Sequence, residues 1–172
     1  MADTIITPGY NEYIRNWPGN ARSDLTHLLS QPDVFARLIE DLASPFIDEK
    51  ITHVATVDAG GFPLGGGIAH RLRAGLVMIR KGGRIDWSSE TIVCVDFSGL
   101  EKQLEITSDA VTKSDRVLVV DDWSETGGQL RAAIQLVERL GAEVVGAACL
   151  HIDERVRKDP KMAKYRLRYV IE

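Results

Sequence analysis

Cysteine is scarce in this sequence: two residues, Cys94 and Cys149, in a chain of 172. They form no CxxC pair, and each lies inside an apolar run. A disulfide scaffold and a thiolate metal cluster are therefore excluded, and two buried thiols in a reducing compartment are expected. Histidine is also sparse, and His27, His53, His70 and His151 show no metal-ligand spacing. No apolar run approaches the roughly 20 residues needed to cross a bilayer. The first ten residues, MADTIITPGY, lack a basic segment followed by an apolar one, so no secretory signal is expected. Nor is there an excess of positive charge: the formal net charge is −4. A basic nucleic-acid stripe is disfavoured by that balance. The reading is a cytoplasmic protein with no membrane and no nucleic-acid partner.

What is there suffices for a core, since 44% of residues are hydrophobic. The length suggests a single domain over residues 1–172. Residues 1–32 are polar and broken by Pro8, Pro18 and Pro32. A helix then follows, with Val34, Phe35, Leu38, Ile39 and Leu42 on one face, Asp33 as expected N-cap and Pro45 as its stop. Short β-rich runs appear at 51–57, 76–79, 91–97, 103–107, 116–120, 143–150 and 168–171. The runs at 91–97 and 103–107 read as a hairpin turning near Ser98-Gly99. Helical patterns cover 62–72 and 127–140, the second stopped by Gly141. Gly65, Gly66 and Gly67 would each weaken an isolated helix by roughly 1 kcal/mol. They make sense where a helix packs closely on a neighbour.

Strands alternating with helices predict an α/β fold with a doubly wound, mainly parallel sheet covered on both faces. Ligands of such sheets sit at the carboxyl ends of the strands. Three polar clusters fall at those ends: 58–61, 80–84 and 121–128. The last belongs to the string Val117-Leu118-Val119-Val120-Asp121-Asp122-Trp123-Ser124-Glu125-Thr126-Gly127-Gly128-Gln129. Its apolar half should be buried on both faces, with the two acids emerging at the strand tip. Adjacent carboxylates repel, and sugar hydroxyls or a divalent cation would compensate them. The loop after them puts backbone N–H groups and the Ser124 and Thr126 hydroxyls at a helix N-terminus, which suits a phosphate. A sugar phosphate is the ligand this pattern points to.

With those residues in order, the sequence resembles the type I phosphoribosyltransferases, and among them the adenine phosphoribosyltransferases. The likeness runs from about Asp24 to Leu150. Asp24-Leu25-Thr26-His27-Leu28-Leu29 is similar to that family's Asp-Ile-Thr-Pro-Leu-Leu, Asp58-Ala59-Gly60-Gly61-Phe62 to its Glu-Ala-Arg-Gly-Phe, and Arg80-Lys81-Gly82-Gly83-Arg84 to its Arg-Lys-x-Gly-Lys. The resemblance implies a small hood, built from 1–32 and the C-terminal segment, and a flexible hairpin loop. It implies that Asp121 and Asp122 hold the ribose hydroxyls. Ser124, Glu125, Thr126, Gly127, Gly128 and Gln129 would cradle the 5-phosphate of phosphoribosyl pyrophosphate. Asp58, Ala59, Gly60 and Gly61 would form the pyrophosphate loop, and Arg80 and Arg84 would meet the diphosphate. Mg²⁺ would ride mainly on the substrate's diphosphate, with no protein-only metal site. The partners implied are phosphoribosyl pyrophosphate, a nitrogenous base and a second copy in a homodimer.

The departures cluster at catalytic and base-binding positions. The hairpin Glu of the family falls near Ser98, leaving Asp96 or Glu101 as substitutes. Gly60 stands in place of an Arg, Glu125 in place of an Ala and Gln129 in place of a Thr. Arg22-Ser23-Asp24 lacks the family's aromatic residue. Trp17, Trp87 and Trp123 are candidates to stack on a base, and the basic stretch 155–168 reads as a solvated face. Three functions are consistent with this set: Mg²⁺-dependent transfer of phosphoribosyl to a purine, adenine first; transfer to another heterocycle; or a non-enzymatic sensor of phosphoribosyl pyrophosphate or a nucleotide.

Overall fold

The computed structural model describes residues 9–16 and 23–172. Two short strands, β1 (Arg15–Asn16) and β2 (Ser23–Asp24), pair antiparallel apart from the main sheet. Helix α1 (Thr26–Leu29) and helix α2 (Pro32–Ala43) follow. Pro32 opens α2 from the first helical position, where its missing N–H costs nothing. The cap position is Gln31, not Asp33; Asp33 sits inside the first turn, where its charge favours the positive end of the helix.

The main sheet has seven strands in the order β5-β6-β4-β3-β7-β8-β9. Five of them run parallel: β4 (Gly75–Lys81), β3 (His53–Val57), β7 (Arg116–Ser124), β8 (Glu143–Ile152) and β9 (Arg166–Ile171). The hairpin β5 (Ser89–Val95) and β6 (Glu101–Thr107) extends one edge antiparallel. This is the doubly wound, mainly parallel architecture expected. Side chains alternate between its two faces. Ala55, Val57, Val117, Val119, Ala147 and Cys149 pack under α4 (Gly128–Arg139). Val54, Leu118, Val120, Ala148 and Leu150 pack under α2 and α3 (Gly61–Leu72). Burying the Val117–Val120 run on both faces accounts for its lack of any polar residue.

The glycines of α3 do what close packing requires. A side chain at Gly65 would run into Thr56 on β3, and one at Gly67 into Ile39 on α2, whereas Gly66 faces open space. The helix therefore lies unusually near the sheet, and its first turn is brought down beside the end of β7.

The basic stretch is less solvated than its composition suggests. After the short α5 (Glu154–Arg157), Lys164 bonds Glu138 and Arg166 reaches Glu49 and the Pro45 carbonyl. Arg168 is 2% exposed, and its Nε donates to the Asp41 carbonyl of α2 at 2.7 Å. The Arg166 and Arg168 bonds fix the last strand, which lies in the main sheet, to α2 and the segment that follows it, and Lys164 ties its approach to α4.

Candidate active site

A cavity of about 370 Å³ opens at the carboxyl ends of β3 and β7, beside the first turn of α4. Its walls include Asp58, Ala59 and Gly60 after β3, Lys81 at the end of β4, Asp122–Leu130, and Asp96, Phe97 and Lys102 from the hairpin. Leu25, next to α1, closes one side.

The strand carrying the acids is longer than its apolar run predicts. β7 continues to Ser124, so pleating sends successive side chains to opposite faces. The two acids therefore do not emerge together. Asp121 turns toward α4 and is 1% exposed, outside the cavity wall; its Oδ2 accepts from Gln129 Nε2 at 3.1 Å and its Oδ1 from the Asp122 N–H at 2.9 Å. Burial and the adjacent Asp122 charge raise the Asp121 carboxyl well above its usual range. Asp122 turns toward the start of α3 and faces the cavity, with Oδ1 accepting from the Trp123 N–H at 2.8 Å. Its carboxylate lies against Gly60, where any Cβ would overlap it. The glycine that replaces the family's arginine thus makes room for Asp122.

The loop from β7 into α4 is tied down from outside. Gly127 has φ +71°, a conformation costly for other residues. Arg131 donates to the Thr126 carbonyl at 2.9 Å and pairs with Asp159 at 3.1 Å. Gly128 lies directly on the Val95 carbonyl of β5, which leaves no room for a side chain. Ser124 lines the cavity, and its Oγ is buried with no hydrogen-bond partner among the described residues. A phosphate oxygen there would accept its proton. Glu125 also lines the cavity, and burial raises its carboxyl, with Arg155 opposing and Asp153, Asp122 and Asp96 adding to the rise.

The basic cluster divides by the same alternation. Val77 and Ile79 are buried on the α4 face, so Lys81 follows them toward the cavity. Arg80 points to the other face, where its Nε donates to Asp58 Oδ2 at 3.4 Å and its guanidinium lies 5.8 Å from the Phe62 ring centre. Arg80, Arg84 and Gly61 are not cavity walls. The Arg84 and Ile85 N–H groups are held by the buried Glu105 carboxylate at 2.5 and 2.9 Å. Lys81, Lys102, Phe97 and Leu25 carried no assigned role in the sequence reading. The period-2 pattern of β4 was the available signal for Lys81.

The tryptophans also differ. Trp123 lines the cavity and stacks on His151 at 4.8 Å, whereas Trp87 is 75% exposed and away from the walls. Trp17 and Arg22 lie outside the described residues. Asp96 reaches the cavity but also accepts from Ser98 N, Ser98 Oγ and Leu100 N. The Ser98 hydroxyl bond holds its carboxyl below the usual range. The peptide Asp58–Ala59 is cis.

The phosphoribosyl transferase domain matches residues 25–171. The chain belongs to that family. A curated relative, the adenine phosphoribosyltransferase of Methylobacterium nodulans, is 44% identical over 136 residues, covering 79% of this chain and 74% of that one. That of Dinoroseobacter shibae is 44% identical over 144 residues, covering 81% and 80%. Among solved structures, the adenine phosphoribosyltransferase of Rhodothermus marinus superposes with TM-score 0.86 at 34% identity, over 94% of this chain and 95% of that one. The Giardia lamblia enzyme complexed with 9-deazaadenine gives TM-score 0.86 at 28% identity, over 94% of each. The chain is a phosphoribosyltransferase of the type I fold, most similar to the enzymes of that name.

Proposed function

We propose that this phosphoribosyltransferase moves the phosphoribosyl group of phosphoribosyl pyrophosphate to the ring nitrogen of a purine, adenine first, releasing diphosphate. The carrying observation is the meeting, in one cavity, of Asp122, the Ser124–Gly128 loop and Lys81. As the bond at the anomeric carbon breaks, the ribose ring gains positive charge and the leaving diphosphate negative charge. Asp122 stands where a carboxylate stabilises the ring, with Asp121 behind it. Lys81 and the Asp58–Gly60 loop stand where the diphosphate would leave, and Arg80 supports that loop through Asp58. Ser124 Oγ, Thr126 and the N–H groups at the start of α4 hold the 5-phosphate, and Gly61 lets that end of α3 approach. Glu125 faces the same space from its Arg155 side, and Arg84 lies on the loop beyond Arg80.

No group of three or more His, Cys, Asp or Glu that could hold a metal occurs among the described residues. A Mg²⁺ would take most of its oxygens from the diphosphate, with Asp58 or Asp122 reaching it directly or through water. When bound, it would neutralise the leaving group. Adenine is favoured by the relatives named above. A different heterocycle is the second reading, favoured by Trp123 and Glu125 on the wall. We place the enzyme in the cytoplasm as a homodimer. Leu76 and Met78, 47% and 50% exposed on the sheet face that α3 leaves open, support the pairing.

The test is nucleotide formation from phosphoribosyl pyrophosphate and Mg²⁺ across a panel of bases. Adenine should be the best acceptor, and Asp122→Asn should lower product formation by roughly 100- to 1000-fold. Binding of the sugar diphosphate without turnover on any base would overturn the reading and leave a sensor.

A further inference from the structure

Gln129 is the second residue of α4, at the position where the sequence departs from the family's threonine. In this chain its amide is already engaged. Nε2 donates to Asp121 Oδ2 at 3.1 Å, across eight residues of chain. The other Asp121 oxygen accepts from the Asp122 N–H at 2.9 Å. A continuous path therefore runs from the start of the helix, through a carboxylate behind the cavity wall, to the main chain of the carboxylate that faces the ligand.

We propose that Gln129 is a positioning residue. It clasps the loop at its two ends and holds Asp121, so that Asp122 presents its carboxylate to the ribose at one fixed angle. The inference rests on the transferase reading above. Its physical basis is the cost of two adjacent acids. Asp121 is almost fully enclosed beside a like charge, and an unpartnered carboxylate there would turn away or take up a proton. A neutral amide supplies a donor without adding a charge. A threonine hydroxyl at this position is too short to span the same gap, so reverting to the family residue should not restore function.

The test uses the full chain with Gln129→Met, which keeps length and removes the donor, and with Gln129→Thr. Loss of a hydrogen bond that leaves a buried polar group unpaired corresponds to about 10- to 100-fold in rate. Both variants should lose turnover in that range, with the KM for phosphoribosyl pyrophosphate changing less than about threefold because the loop N–H groups remain. In an Asp121→Ala background, which removes the acceptor, Gln129→Met should add little, since the two act through one bond. A raised KM with unchanged kcat would make Gln129 a direct substrate contact and overturn the proposal. So would additive losses. A second readout needs no turnover: the side-chain amide resonance of Gln129 in the ligand-free protein should shift strongly on Asp121→Ala, which removes the acceptor. An unmoved resonance overturns the clasp. A wild-type chain inactive on every base would instead defeat the transferase reading, with the resonance still testing the bond.

Discussion

The strand-to-helix loop at 121–128 and the β5–β6 hairpin line the same cavity and are built in opposite ways. In the loop, Asp121 and Asp122 are fixed by main-chain or amide donors, the Thr126 carbonyl is held by Arg131, and the chain enters a twelve-residue helix. The hairpin leaves Val93, Val95, Phe97 and Leu100 between 41% and 61% exposed. Its tip is held mainly by its own Asp96. The side that would hold the sugar phosphate is thus organised before any ligand arrives. The strands of the side that would close over it are fixed in the sheet, and only its tip depends on its own turn. Electrostatic stabilisation works best from groups that need not move during reaction. A covering element must move.

The largest expected effect breaks the rigid side. Asp122→Asn should lower turnover by roughly 100- to 1000-fold, the scale for removing a group aimed at developing charge, while its melting temperature stays near wild type. Steady-state rates and a thermal melt check both halves. Next comes the point where the regions touch. Gly128→Ala places a methyl on the Val95 carbonyl, which is backbone and cannot rotate away. Overpacking of this kind should cost about 1–3 kcal/mol in urea unfolding. A smaller cost would mean that the hairpin lifts off freely.

Weaker effects probe the hairpin and the segment leading into it. Asp96 has a lowered pKa, so its bonds stabilise the fold above its ordinary value of 3.8 and are lost as pH falls through the lowered value. The melting temperature of the wild type should exceed that of Asp96→Asn at neutral pH, and the gap should close in that acidic window. A gap independent of pH would show that the turn does not depend on the charge. Trp87→Ser should be the smallest, within about 0.5 kcal/mol of wild-type stability, because the indole is exposed.

Much of the architecture was legible in periodicity. The Val117–Val120 run, the α4 pattern and the hairpin all fell near their observed places, since each is set by local alternation of apolar residues. The site was legible as a string but not as a shape. An apolar run marks where the apolar side chains end, not where the strand or its burial ends, and β7 runs on through Asp121, Asp122 and Trp123 to the buried Ser124. That extension separates the acids onto two faces and pairs Asp121 with Gln129. By the same alternation Lys81, rather than Arg80, reaches the cavity. The Asp122–Gly60 contact joins segments more than sixty positions apart. No pattern confined to either segment could announce it.

The stack of Trp123 on His151 has an optical consequence. The indole has an imidazole against one ring face and also borders the cavity, so a molecule entering alters its surroundings while the other contact stays constant. The sequence holds three tryptophans, and replacing Trp17 and Trp87 by phenylalanine leaves Trp123 as the sole indole emitter. Its fluorescence would then report occupancy in real time. The molecule carries its own dye at the mouth of the site.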